Sequence, residues 1–117
     1  MSTIHNSQEL IAALKDAPVD FKTVMQVIDS EYEFAPTAFK NGETFNEAGS
    51  NNGSCKVFAF GELHQLSEQQ TLNAFGDFYC QDVLQHPENE DHQNIRNFMS
   101  YGWKGIEFSG TALVKKE

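Results

Sequence analysis

Apolar residues recur along this chain first at helical spacing, then in alternation, then at helical spacing again. Leu10, Ile11 and Leu14 follow Asn6, and Glu9 stands three positions beyond Asn6, the spacing of a capping box; Ala17-Pro18 ends that first helix. Asp20 caps a second helix in which Phe21, Val24, Met25, Ile28 and Tyr32 form one buried stripe. The period then shortens. Tyr32 and Phe34 alternate with acids, and Phe39-Lys40 and Thr44-Phe45 flank Asn41-Gly42, a pair suited to a tight hairpin turn. The segment from Glu47 to Gly53 is small or polar throughout and reads as a loop. Ser54 caps a third helix through Cys55, Val57, Phe58, Phe60 and Leu63; Gly61 weakens it, and an extended form of Val57 to Phe60 stays open. Ser67 with Gln70 repeats the capping spacing, and Leu72, Phe75, Phe78, Tyr79 and Val83 make a continuous helix that ends before Pro87. After a polar turn from Pro87 to Glu90, Asp91 caps a last helix with Ile95, Phe98 and Met99 inward, stopped at Gly102 with Trp103 folding back on it. Ile106 and Phe108 alternate with polar residues as a closing strand, and Gly110 onwards reads as a fraying tail.

Helices and strands are thus segregated along the chain. That order predicts an α+β fold, about five helices packed on a small, curved, mainly antiparallel sheet, in a single domain spanning residues 1–117. A length of 117 residues with 39% hydrophobic content allows one core and no second domain. Folding removes about 65% of the surface that the unfolded chain exposes, enough without a metal or a disulfide lattice. Ten Phe residues carry much of that burial.

Charge narrows the partners. The formal net charge is -9, and Lys and Arg are absent between Val57 and Ile95, where Glu62, Glu68, Asp77, Asp82, Glu88, Glu90 and Asp91 all fall. Phosphate binding rests on clustered basic side chains, so neither nucleic acid nor an anionic membrane surface is an expected partner. No apolar run reaches the length of a membrane span, and the opening residues lack the basic-then-apolar pattern of a secretory signal. Cys55 and Cys80 are too few for a disulfide scaffold and suit a reducing compartment, with a single bridge left open.

Several residues carry candidate chemistry. Gly49, Gly53 and Lys56 are misplaced for a phosphate-binding Gly-Lys-Ser/Thr loop, which leaves a flexible loop and a helix cap. Cys55 lies in the first turn of its helix beside Lys56, where dipole and cation both favour a thiolate; His64 or His92 as base, and Asp91 or Asp77 as orienting group, would complete a nucleophilic site. Inert burial of the thiol is the competing reading. His86, Glu88, Asp91 and His92 lie close together but match no closed zinc spacing, so no metal and no cofactor is expected. Asp77 and Asp82, five apart, share no helix face and do not form an acid/base pair. At the start of the last helix His92 and Arg96 share one face at i, i+4, and Gln93 and Asn97 another. Together they could receive a polar or anionic group, while Arg96, the one arginine, could instead form a salt bridge that pins a neighbouring acidic helix.

The run Phe45-Asn46 through Gly49, continued by Asn52-Gly53-Ser54-Cys55-Lys56-Val57-Phe58-Ala59-Phe60, resembles the HopJ type III effector family. So do Leu66 to Leu72, Phe75-Gly76-Asp77-Phe78-Tyr79, His86-Pro87, Asp91 to Met99 and Tyr101-Gly102-Trp103. The resemblance implies a bacterial protein of the cytoplasm, open to translocation into a host cell by type III secretion, that acts by binding an unidentified host or bacterial protein. It carries no catalytic residue with it. A Ser-rich, acid-poor leader, expected of such effectors, is matched in part: Met1 to Gln8 is acid-free, whereas Glu9 comes early. Two alternatives stand beside this reading: a small Cys-dependent hydrolase or transferase using Cys55, and an intracellular bacterial housekeeping protein that is not secreted.

Overall fold

Asn6 opens the first helix where its spacing places it. Its Oδ1 accepts from the Glu9 amide at 2.9 Å, and α1 runs Ser7–Asp16 with Leu10 and Leu14 fully buried. The computed structural model describes Ile4, residues 6–89 and residues 91–116; Met1 to Thr3 and His5 of the acid-free opening, and Glu90 of the polar turn, lie outside the described residues. The second helix, α2 (Phe21–Glu31), starts without a side-chain cap from Asp20 and buries Val24, Val27 and Ile28. Phe21 and Met25 of the expected stripe sit at the core's margin instead, half-buried.

Strand β1 (Tyr32–Phe34) follows directly and pairs antiparallel with β5 (Leu113–Lys115). The expected fraying tail is therefore a strand: β1 has an open edge, and Ala112 and Leu113, 4% and 5% exposed, bury apolar surface by covering it. Strands β2 (Phe39–Asn41) and β3 (Thr44–Asn46) form the expected hairpin, and β4 (Ile106–Phe108) lies on the other side of β2, giving the order β3-β2-β4. The turn is shifted by one residue from the expected Asn41-Gly42. Gly42, at φ +61, takes the first central position, which leaves Asn41 in the strand opposite Thr44. The strands thus make two small antiparallel sheets, joined at a seam where the Ala35 amide donates to the Ala112 carbonyl and the Ser109 amide to the Ala38 carbonyl.

Helix α3 (Asn52–Leu63) begins two residues before Ser54 and runs through Gly61, so Val57 to Phe60 is helical. Helix α4 (Glu68–Asn73) carries the reciprocal Ser67–Gln70 capping box but ends early. The continuous helix expected to reach Pro87 breaks at Gly76, φ +60, where a Cβ would lie 2.7 Å from the Val19 carbonyl oxygen. The chain resumes as a π-helical segment, Phe78–Val83. Helix α5 (Gln93–Tyr101) starts at His92 in place of Asp91 and stops at Gly102, φ +63; a 3₁₀ turn (Gly102–Gly105) then brings Trp103 back over Phe98 at 5.0 Å. The indole N–H donates to the Leu66 carbonyl at 2.9 Å.

Aromatic rings join the layers. Phe58 of α3 lies 5.0 Å from Phe98 of α5, 5.5 Å from Phe75 and 5.9 Å from Phe39 of β2, ring centre to ring centre. Each such buried ring contributes about 1.5–3 kcal/mol through the apolar surface it removes from water. Among the described residues no helix is long and apolar enough to cross a membrane.

Candidate functional site

Two helices begin in the same unusual way. Asn51 before α3 and His92 before α5 both hold left-handed backbone, φ 52 with ψ 47 and φ 52 with ψ 48, and neither caps its helix with its side chain. Asn and His are among the residue types that tolerate this region best. A cavity of about 380 Å³ opens between the two starts, with Asn51, Gly53 and Ser54 on one side and His92, Gln93 and Asn94 on the other. Thr44 and Asn46 of β3 line it as well, and Phe21, Phe75 and Phe78 supply an aromatic wall. Gly53 is the residue that admits this wall, since a Cβ there would lie 2.7 Å from the Phe21 ring.

Behind the cavity lies a network of buried amides. Asn41 Nδ2 donates to the Asn94 carbonyl at 2.8 Å and to Asn94 Oδ1 at 3.0 Å. Asn46 and Asn94 exchange two amide hydrogen bonds, each 3.0 Å, and Asn51 Nδ2 donates to Asn46 Oδ1 at 2.7 Å. These bonds tie the β2-β3 hairpin to both helix starts, so the two helices are held in register through side chains. Asn41 Oδ1 is the one buried side-chain polar atom without a partner among the described residues. Sequence reasoning missed Asn41 and Asn46. The available signal was an amide at an inward position of each hairpin strand, where an apolar residue is expected.

His92 is fixed from two sides. Its Nε2 lies 3.0 Å from Asp82 Oδ2 and 3.9 Å from Asp91 Oδ2, and its ring lies 5.3 Å from that of Phe78. The Arg96 hydrogen bond holds the Asp91 carboxyl below the usual carboxylate range. The cavity thus offers an oriented imidazole, neutral hydrogen-bonding side chains and two helix N-termini, a set able to receive a polar group of modest size.

The expected binding residues divide. His92 and Gln93 line the cavity, and Asn97 stands one step behind it, donating through Nδ2 to Thr44 Oγ1 at 2.6 Å. Arg96 turns the other way. Its guanidinium donates to the carbonyls of His86 and Pro87 at 3.0 and 3.2 Å and to Asp91 Oδ1 at 2.7 Å, with Nε on the Asp91 carbonyl, so it pins the segment before α5.

The expected catalytic set is not assembled. Cys55 is 1% exposed, its thiol faces the Thr37 carbonyl at 3.5 Å, and the cavity wall passes through Gly53 and Ser54 without it. Burial pushes the thiol's pKa up, the reverse of the expected thiolate, because loss of hydration outweighs the lowering effect of the Thr37 backbone contact. Lys56, the expected neighbouring cation, pairs with Asp29 at 2.7 Å. Both cysteines are free, and among the described residues no group of three His, Cys, Asp or Glu is placed to hold a metal.

Comparison with known proteins places this geometry in context. The family model for HopJ type III effector protein matches residues 7–113. The crystal structure of unknown function protein VPA0580 is 52% identical, with TM-score 0.93, covering 99% of this chain and 98% of that one. No curated protein matches.

Proposed function

The chain belongs to the HopJ type III effector family, and we propose that within it this protein acts by binding a partner protein at the cavity between the starts of α3 and α5. The observation that carries this reading is the convergence on one aromatic-walled cavity of two helix starts whose left-handed N-cap residues, Asn51 and His92, make no side-chain cap bond. In it His92, backed by Asp82, and Gln93 meet the partner's polar group, while Asn97 and the buried amides hold the walls still. Helix-start amides and a fixed imidazole bind such a group at little ordering cost, because they are already in place. Type III delivery would make that partner a host protein; retention would make it bacterial.

Two experiments test the reading. Fusion to a host-activated reporter, in donors with and without a working type III apparatus, identifies the compartment in which to seek the partner. Partner capture is then compared among the natural protein, His92→Asn, which retains a residue tolerant of left-handed backbone, and Ser54→Trp, which fills the cavity. Loss of capture in both variants, with melting temperatures near that of the natural protein, supports the cavity. Undiminished capture by both overturns it.

A further inference from the structure

Phe21 and Phe78 wall the cavity on one side and, on the other, line an open groove of about 490 Å³ together with Met25. Their rings meet edge to face at 5.2 Å, and Phe78 is 40% exposed, so an apolar surface lies open to solvent directly beside the proposed site. Asp20 and Asp77 flank this surface. The close contact at Gly76 brings them to the same edge, since a Cβ on Gly76 would lie 3.3 Å from the Asp20 Cα. Neither carboxylate caps the helical segment that follows it, and neither forms an ion pair among the described residues. Among the described residues Lys22 is the single cation that lines the groove.

We propose that this groove docks an Arg or Lys side chain of the partner, its aliphatic stem on Phe21, Met25 and Phe78 and its cationic head at Asp20 and Asp77. The inference rests on the binding function above and names the chemistry of the segment bound next to the cavity. An apolar occupant would strip water from two carboxylates and return no hydrogen bond. A second copy of the chain would bring the same acidic edge and a net charge of -9 against its own. A long basic side chain satisfies both parts of the surface, since its stem covers apolar rings while its head stays polar and ring faces attract cations.

The probes are two labelled short peptides, one alternating Arg with Leu and one alternating Glu with Leu, followed by fluorescence anisotropy on the full chain. The Arg peptide is expected to bind, the Glu peptide not. Binding should weaken about tenfold in the pair Asp20→Asn/Asp77→Asn and in Phe78→Ala, and stay unchanged in the control pair Glu43→Gln/Glu107→Gln, whose acids lie outside the groove. Thermal melts show whether each variant is folded; a Phe78 variant that unfolds is replaced by Met25→Ser. Equal binding of both peptides, an equal loss in the control pair, self-association blocked by the same substitutions, or no binding at all overturns the groove. Loss in His92→Asn with no change in the Asp20/Asp77 pair also overturns the groove while supporting the cavity. Loss in the pair alone supports the groove whatever partner capture shows for the cavity.

Discussion

Arg96 illustrates how one side chain decides the site's shape without entering it. Its fork bonds backbone carbonyls of His86, Pro87 and Asp91 and the Asp91 carboxylate, holding the segment that carries His92 against α5. Arg96→Ala is expected to cost about 2–3 kcal/mol, and Arg96→Lys to recover little of it, because a single ammonium cannot reproduce the planar fork. Urea midpoints of the three proteins check this. His64 offers a titration test. Burial, seconded by the positive charge of Lys115 and opposed by Glu31, lowers its pKa from the ordinary 6.5, and its Nε2 meets the Tyr32 hydroxyl at 2.5 Å. The unfolded chain therefore binds the proton more readily than the folded one, so the contribution of His64 is complete above about pH 6.5 and is lost as pH falls through the lower folded value. His64→Gln keeps an acceptor for the hydroxyl and removes the titration; its urea midpoint should vary less with pH below about 6.5 than that of the natural protein.

The elements show where local pattern and tertiary contact part. The helix that the apolar stripe predicts from Ser67 to Val83 is divided because Gly76 must pass the α2 lead-in at Val19. That passage creates the positive-φ turn and orients Phe78 toward Phe21 and His92. Gly76→Ala adds strain at φ +60 and a 2.7 Å clash with backbone that cannot move as a flexible side chain does. A loss of about 2–4 kcal/mol is expected, read as a lowered melting temperature, together with weaker partner capture as Phe78 shifts. Caps were legible where donor and acceptor are neighbours in sequence: Asn6 with Glu9, and Ser67 with Gln70. At Asp20, Ser54 and Asp91 the same residue types stand at helix starts, yet the observed N-cap residues are Asp20, Asn51 and His92 and none caps with its side chain.

At the scale of the molecule, a charge of -9 on 117 residues sets both stability and partner choice. Like charges are crowded on folding, and the contacts that offset them include Asp29 with Lys56, Asp91 with Arg96, and Asp82 with His92. Added salt screens the net repulsion more than it weakens these pairs. The urea midpoint should therefore rise between about 0.02 M and 0.3 M sodium chloride. A falling midpoint would show that these pairs outweigh the net charge. The same acidity turns the Asp20–Asp77 edge toward a basic segment and away from phosphate.

What the sequence determined by itself is whatever rests on neighbours along the chain: the helical and alternating periods, the two local caps, the stop at Gly102, the α+β order and the family signature from Phe45 to Trp103. His92 and Gln93, singled out as candidates because their polarity exceeds what a helix start requires, both line the cavity. The tertiary structure alone decided that Arg96 faces the preceding segment, that Cys55 is sealed in the core, and that the tail after Gly110 becomes a strand. It also joined Asn41, Asn46 and Asn94 beneath the cavity. Apart from Arg96, whose partners lie 5 to 14 residues back, each of these depends on a partner distant in sequence. A local window records which groups need a hydrogen bond or a buried face, but which distant residue meets that need is set by how the layers pack.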